Sequence, residues 1–467
     1  PADWFEPYGW KVAGTENGDN WESILIAFEE LFKSENPNQP KAIWMKTTKG
    51  RGYGKFDNAS HGAPHKRNSK EFWKIMGDFG NRFGVQFEHL NIEPSVDFDI
   101  NKKQMADTMY SVMSLFDSID GLTDYLANHL IDIAESIHEN NSVKMGFEKN
   151  PFADNTLYDF KNYPANLYLE PGEIAPNRAA FGNFGSWINS YCKEMYGRPV
   201  ALVCSADLAG STNIAGFSKG WNNSTGFGVY HREDNPEGTL LPQGITEFAN
   251  AGLMTGISTV NFANNPYKEF NGYITSCSTY GSFSYLKYGA YRLFSQIAQD
   301  SQLKVGKTIW VAGHSGPETA EDFRTHFGIF APGVTQLFPE GKILNLHPWE
   351  YNEVPVMLGA ALAQDIPIIV LHLTRPPIEI PHRLNLEMPS HFEAAKGAYV
   401  IKDYNDDREK GGVVIVRGTS VINELCSILP KIIENGPNIK IVAALSWGLF
   451  HLQSEEYRRS VMKEDEW

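Results

Sequence analysis

The segment TIWVAGHSGPETAEDFRTH, residues 308–326, decides the fold. Residues 308–312 form a short apolar run that reads as a strand buried on both faces. A Gly-His-Ser-Gly-Pro turn follows and leads into a helix expected to start near Thr319. Strand, turn and helix in that order are the unit of a parallel sheet, and ligands of such sheets gather where the strand ends, here at His314. On a helix, Asp322 and His326 stand four apart and share one face, which the turn can aim toward His314. The same spacing also suits a helix N-terminus whose acidic residue complements the dipole, flanked by two surface histidines. Spacing alone leaves both readings open.

Working outward, 200–205 (VALVCS), 258–263 (STVNFA) and 367–373 (PIIVLHL) also read as strands, with helix-like segments between them. That alternation is the pattern of a parallel sheet covered on both faces. The Pro-rich stretch 376–390 closes this block. Upstream, residues 20–34 read as an amphipathic helix, 41–48 (KAIWMKTT) as a buried strand and 50–72 as a long functional loop. Residues 101–140 are mostly helical with a break near Gly121, and 148–176, rich in Pro and Asn, reads as a linker. From Gly397 onward, GGVVIVRGTSVINELCSILPKII and KIVAALS repeat strand, helix, strand. The fold class is therefore α/β, as successive domains with parallel sheets flanked by helices.

Composition narrows the function classes. Hydrophobic residues make up 42% and charged residues 21% of the 467, an ordinary globular profile. A formal net charge of −15 argues against nucleic acid or an anionic membrane as partner, since both need clustered Lys and Arg. An anionic substrate would need a local basic pocket. No apolar run approaches the roughly 18 residues of a membrane-spanning helix. Cys192, Cys204, Cys277 and Cys426 lack metal-ligand spacing, so they read as reduced core thiols of a cytosolic protein.

Several further stretches carry candidate chemistry. In CSADLAGS (204–211), a buried strand leads into Asp207 and a small-residue turn closed by Ser211. Small residues admit a ligand close to the backbone, although Asp and Ser there often only cap the next helix. In GITEFANAGLMTGIS (244–258), Glu247 opens an otherwise apolar helix, either as an exposed cap or as a buried acid. The aromatic run YGSFSY (280–285) either stacks on a flat heterocycle or fills a core. The glycines of TKGRGYG (48–54) do not follow a strand in the dinucleotide-binding frame and read as loop flexibility.

These pieces occur in one order, and in that order the sequence resembles transketolase nearly end to end. YGW (8–10), KAIWMKTTKGRGYG (41–54) and SHGAP (60–64) resemble the later part of that family's diphosphate-binding domain. SADLAGS, ITEFANAG, GHSGPETAEDFRTH and IIVLHLTRP resemble successive stations of its pyrimidine-binding domain, and GGVVIVRGTSVINEL with EEYRRSV the start of its C-terminal domain. The resemblance implies domains at 1–95, 96–165 (a helical segment and linker), 166–393 and 394–467. It implies thiamine diphosphate with Mg²⁺ or Ca²⁺, phosphorylated sugars as substrates, and a cytoplasmic homodimer with its active site between subunits.

Roles follow residue by residue from the same resemblance. Glu247 falls where the family contacts the aminopyrimidine N1′, Asp207 at a position facing the cofactor, and Tyr280 and Phe283 in the pyrimidine-stacking segment. His61 and His326 match histidines near the reacting hydroxyl and carbonyl groups, a task that suits imidazole near neutral pH. Asp322 matches an aspartate that binds a sugar hydroxyl; His314, Ser211, Arg178 and Arg375 match the phosphate-end group. The context PNRAAFGNFG around Arg178 follows the family pattern loosely, and Tyr285 is out of phase with the family's third ring. The Gly-Asp-Gly motif and Asn that hold metal and diphosphate are expected upstream of residue 1, so no metal ligand is assigned in this chain. Runners-up are 1-deoxyxylulose-5-phosphate synthase, dihydroxyacetone synthase, phosphoketolase and a non-catalytic transketolase-like protein.

Overall fold

A computed structural model describes residues 1–33, 35–57, 65–139, 147–219, 227–314 and 331–466. The chain forms two compact units, Pro1–Lys144 and Met145–Trp467. In the first unit, strands β1 (Lys11–Thr15) and β2 (Lys41–Met45) pair in parallel, joined by the helix Trp21–Phe32. Asn20 starts that helix by accepting from the Ser23 amide, and Ser69 does the same for the helix Lys70–Phe83 through Phe72. The expected helical stretch is two helices, Phe98–Ser118 and Leu122–Glu139. Between them Gly121 has φ +73°, a left-handed conformation that ends the first helix at little cost only for glycine.

The second unit is built on a parallel sheet, in keeping with the expected fold class. Its strands are β3 (Ala201–Ser205), β4 (Leu240–Leu241), β5 (Ile274–Tyr280), β6 (Thr308–Gly313), β7 (Ile343–Leu346) and β8 (Ile368–His372). Among the described residues their order is β4-β3-β5-β6-β8-β7. The helix Asn177–Tyr196 precedes the first of these strands, and Glu247–Ser258, Tyr288–Asp300 and Glu353–Leu362 fall between later ones. Strands β6 and β8 are buried along their whole length. A second, smaller sheet places β11 (Ile439–Ala444) between antiparallel β9 (Ala398–Lys402) and parallel β10 (Gly412–Val416), with the helix Thr419–Asn435 connecting β10 to β11.

The expected strand at 258–263 is not one. Asn261 turns it into a loop: its Oδ1 accepts from the Ala263 and Asn271 amides, and its Nδ2 donates to the Glu269 and Lys304 carbonyls. The sheet takes ITSCSTY (274–280) instead, a run that looks too polar for a central strand. Its hydroxyls are satisfied internally: Thr275 donates to the Met254 carbonyl and Ser276 to the Ile309 carbonyl. The Pro/Asn-rich stretch is likewise no loose tether. It folds into 3₁₀ turns over 151–167 whose Leu157, Tyr163 and Leu167 are buried in the main core.

Behind the sheet lies a buried ionic group. Arg383 donates from Nη2 to Glu350 at 2.8 Å and to Glu353 at 2.9 Å, and the Tyr399 hydroxyl donates to Glu353 at 2.7 Å. Burial pushes the Glu353 carboxyl up to about 7 from an ordinary 4.5, although Arg383 and Tyr399 pull the other way. A carboxyl whose pKa is raised in the native state binds protons more tightly there than when unfolded. Its contribution is complete below about pH 4.5 and is lost as pH rises through about 7. Denaturant titrations should show the wild type losing more stability than Glu353→Gln between pH 5 and 8. Parallel losses would remove Glu353 as the titrating group.

Candidate functional site

The site is built where the central strands end. After β3 the chain turns sharply: Asp207 and Asn213 have φ of +59° and +60°, conformations that Asp and Asn tolerate better than most residues. Thr212 pins the turn to the sheet, its hydroxyl donating to the Leu208 carbonyl and meeting Ser278 Oγ of β5 at 2.7 Å. Ser211 is thereby held over the strand ends, while Asp207 is exposed. After β6, His314 also takes a left-handed φ of +56° and is 1% exposed.

Arg178 joins these two turns from the first turn of the helix Asn177–Tyr196. Its Nη1 donates to the Ser211 carbonyl at 2.7 Å and meets His314 Nε2 at 2.8 Å. A guanidinium can only donate, so Nε2 accepts and the ring proton sits on Nδ1. The Tyr280 ring stacks on the His314 ring with centroids 4.2 Å apart, and its hydroxyl donates to Ser211 Oγ at 3.1 Å. The helix start is fixed by Asn177, which donates to the Pro348 carbonyl and accepts from the Thr374 amide. Arg375, the next residue after Thr374, is partly buried at that same strand end. A guanidinium, an imidazole and two hydroxyls in one place are the kinds of donor that an anion takes up.

Glu247 lies on the other side of β5. It is the first residue of the helix Glu247–Ser258 yet only 6% exposed, so it is a buried acid and not a surface cap. Thr279 Oγ1 donates to its Oε1 at 3.0 Å. Thr279 and Tyr280 are consecutive on a strand and point to opposite faces, so the buried carboxyl and the basic group straddle one strand end. Phe283 is half-buried in the turn Gly281–Lys287 that follows β5. In the same turn the buried hydroxyls of Ser282 and Ser284 have no hydrogen-bond partner among the described residues. A buried carboxyl beside aromatic rings and unspent hydroxyls suits a flat nitrogen heterocycle.

Residues 187–377 match the transketolase pyrimidine-binding domain. The chain is similar to transketolases. It is 25% identical to the transketolase of Staphylococcus aureus over 471 residues, covering 98% of this chain and 60% of that protein. Transketolase 1 of Candida albicans is 26% identical over 472 residues, with 98% and 59% covered. Among solved structures, a Campylobacter jejuni transketolase superposes with a TM-score of 0.63 at 20% identity, covering 99% of this chain and 60% of that one. A Pichia stipitis transketolase in complex with a sedoheptulose phosphate gives 0.63 over 98% and 59%. The chain thus spans about three-fifths of the transketolases it matches.

Of the residues singled out by the transketolase resemblance, the structure brings Arg178, Ser211, His314 and Tyr280 into contact and buries Glu247 beside them. His61, Asp322 and His326 lie outside the described residues. The sequence reading missed Thr279, Asn177 and Lys287. Thr279 follows from strand alternation in ITSCSTY, and Lys287 stands out as a cation between an aromatic run and an apolar helix. In the first unit, Glu88, His89 and Asp107 bring ligand atoms within 4.8 Å of one another, with His89 Nε2 2.6 Å from Asp107. A hydrogen bond between the imidazole and the carboxylate accounts for that contact.

Proposed function

We propose that this chain belongs to an enzyme that moves a two-carbon ketol unit from a ketose phosphate to an aldose phosphate with thiamine diphosphate. One observation carries the proposal: at the end of β5, adjacent Thr279 and Tyr280 hold a buried carboxyl on one side and a basic group on the other. That is the chemistry needed to hold a ring nitrogen and a phosphate side by side. When bound, thiamine diphosphate supplies a carbon nucleophile and an electron sink. Glu247 shares a proton with the ring nitrogen, and Tyr280 and Phe283 belong to the segment that packs on the ring. Arg178, Ser211, His314 and Arg375 bind the sugar phosphate, with Asp207 facing the cofactor. His61 and His326 serve the proton transfers and Asp322 a sugar hydroxyl. The divalent metal is assigned no residue of this chain.

We further place the protein in the cytoplasm as a homodimer with its active site between subunits, and divide it into domains at 1–95, 96–165, 166–393 and 394–467. A coupled assay of the complete protein with xylulose 5-phosphate, ribose 5-phosphate, thiamine diphosphate and Mg²⁺ should show turnover. Cofactor binding without turnover would leave a non-catalytic transketolase-like protein. Arg375→Ala removes a charged donor worth about 1.5–3 kcal/mol, so KM for phosphorylated sugars should rise roughly ten- to a hundredfold with kcat little changed. An unchanged KM would remove Arg375 from the phosphate group.

A further inference from the structure

Lys287 is a charged residue that the proposed chemistry does not use, although it is fully buried. It closes the turn Gly281–Lys287, and its Nζ donates to the carbonyls of Cys277 on β5 and Val311 on β6, each at 3.0 Å. The ammonium lies 5.4 Å from the centroid of the Trp310 ring. Lysine is almost never fully buried unless it is paired, yet among the described residues no carboxylate lies within ion-pair distance of it. The titratable groups whose fields reach it are Cys277 of β5, Cys204 of β3 and Glu247 at the head of its helix. Cys277 and burial hold the Cys204 thiol up, whereas Cys204 and Lys287 draw the Cys277 thiol below its ordinary value; Glu247 is the one carboxyl group among the three.

The strand geometry links the two. Lys287 lies 5.4 Å from the ring of Trp310, which pairs in register with Cys277, and Glu247 is tied to the Thr279 hydroxyl two residues further along that strand. The side chains of Trp310, Cys277 and Thr279 point to one face of the sheet. We propose that Lys287 is the buried counter-cation of Glu247, a positioning residue that favours release of the Glu247 proton to a ring nitrogen bound beside the carboxyl. The consequence rests on the reading of Glu247 given above, whereas the pairing rests on the shared face of the sheet and on the field of Glu247 at Lys287. In the step, the proton leaves the carboxyl oxygen for the nitrogen lone pair. The ring gains a positive charge, the carboxyl becomes a carboxylate, and Lys287 keeps all its protons. Its fixed charge lowers the energy of the ion pair so formed, in a setting where water cannot screen it.

Coupling between two charges is reciprocal, so it can be read from either partner. The experiment titrates Lys287 by NMR of ¹³C-lysine-labelled protein without cofactor, the resonance being identified by its loss in Lys287→Met. Should that variant not fold, Lys287→Arg serves for the assignment. Burial lowers the Lys287 pKa to about 8, so the wild-type midpoint is expected there. In Glu247→Gln the midpoint should fall by about one unit or more, as expected for loss of an anion that raises it from a site closed to water. A lysine that only ties two strand carbonyls would titrate unchanged in that variant, and such a result overturns the proposal. Calorimetry with thiamine diphosphate separates the two claims. A moved midpoint with undiminished cofactor binding in Glu247→Gln would keep the Lys287–Glu247 pair and refute its role in proton release.

Discussion

Glu247→Ala is expected to lower ketol transfer by the complete protein by about a hundred- to ten-thousandfold, the range for removing a positioned acid or base. The loss should fall on kcat, because Glu247 is set away from the residues assigned to the sugar phosphate, across β5 from Arg178 and Ser211. The variant also removes the carboxyl proposed to balance the buried Lys287 and so costs stability, but Lys287 keeps its bonds to the Cys277 and Val311 carbonyls, and the fold is expected to hold. Circular dichroism matching the wild type, with the coupled assay close to background, is the expected pair of results. Turnover like that of the wild type would remove Glu247 from the mechanism.

Arg383→Met should cost about 3–5 kcal/mol of stability, because it leaves Glu350 and Glu353 buried without their shared cation. Both carboxylates are fully buried, and Glu353 also accepts from the Tyr399 hydroxyl and the Trp349 amide. Chemical denaturation followed by tryptophan fluorescence reads the change directly, since the guanidinium lies 5.4 Å from the centroid of the Trp349 ring. Neutralising the acids in the triple variant Arg383→Met, Glu350→Gln, Glu353→Gln should recover part of the loss, since amides tolerate burial without a counter-ion better than carboxylates. A cost below about 1 kcal/mol in the single variant would mean that Arg383 is not what balances the two acids.

Much of the framework is legible in one dimension. The strand Thr308–Gly313 sits inside an apolar run, and Gly121 marks the break between the two helices as expected. Errors fall where hydroxyls replace hydrocarbons. ITSCSTY is passed over because Ser and Thr look polar in sequence, yet their hydroxyls find partners on neighbouring strands or on the helix that covers them. STVNFA is mistaken for a strand because its apolar residues hide the decisive one, Asn261. The same limit applies at the site: whether the acid at 247 is a cap or a buried group depends on Thr279, 32 residues further along the chain.

The sequence by itself determined the α/β class, the parallel order of strand and helix, and which residue types would furnish chemistry at the strand ends. Those properties depend on local periodicity and on turn residues, which neighbours in the chain specify. Only the tertiary structure decided that Arg178 meets His314 across 136 positions, that Glu247 is buried, and that Lys287 shares its face of the sheet. Such facts depend on which strands lie side by side. The sheet order β4-β3-β5-β6-β8-β7 is set by packing of the whole core, and no window of sequence contains it.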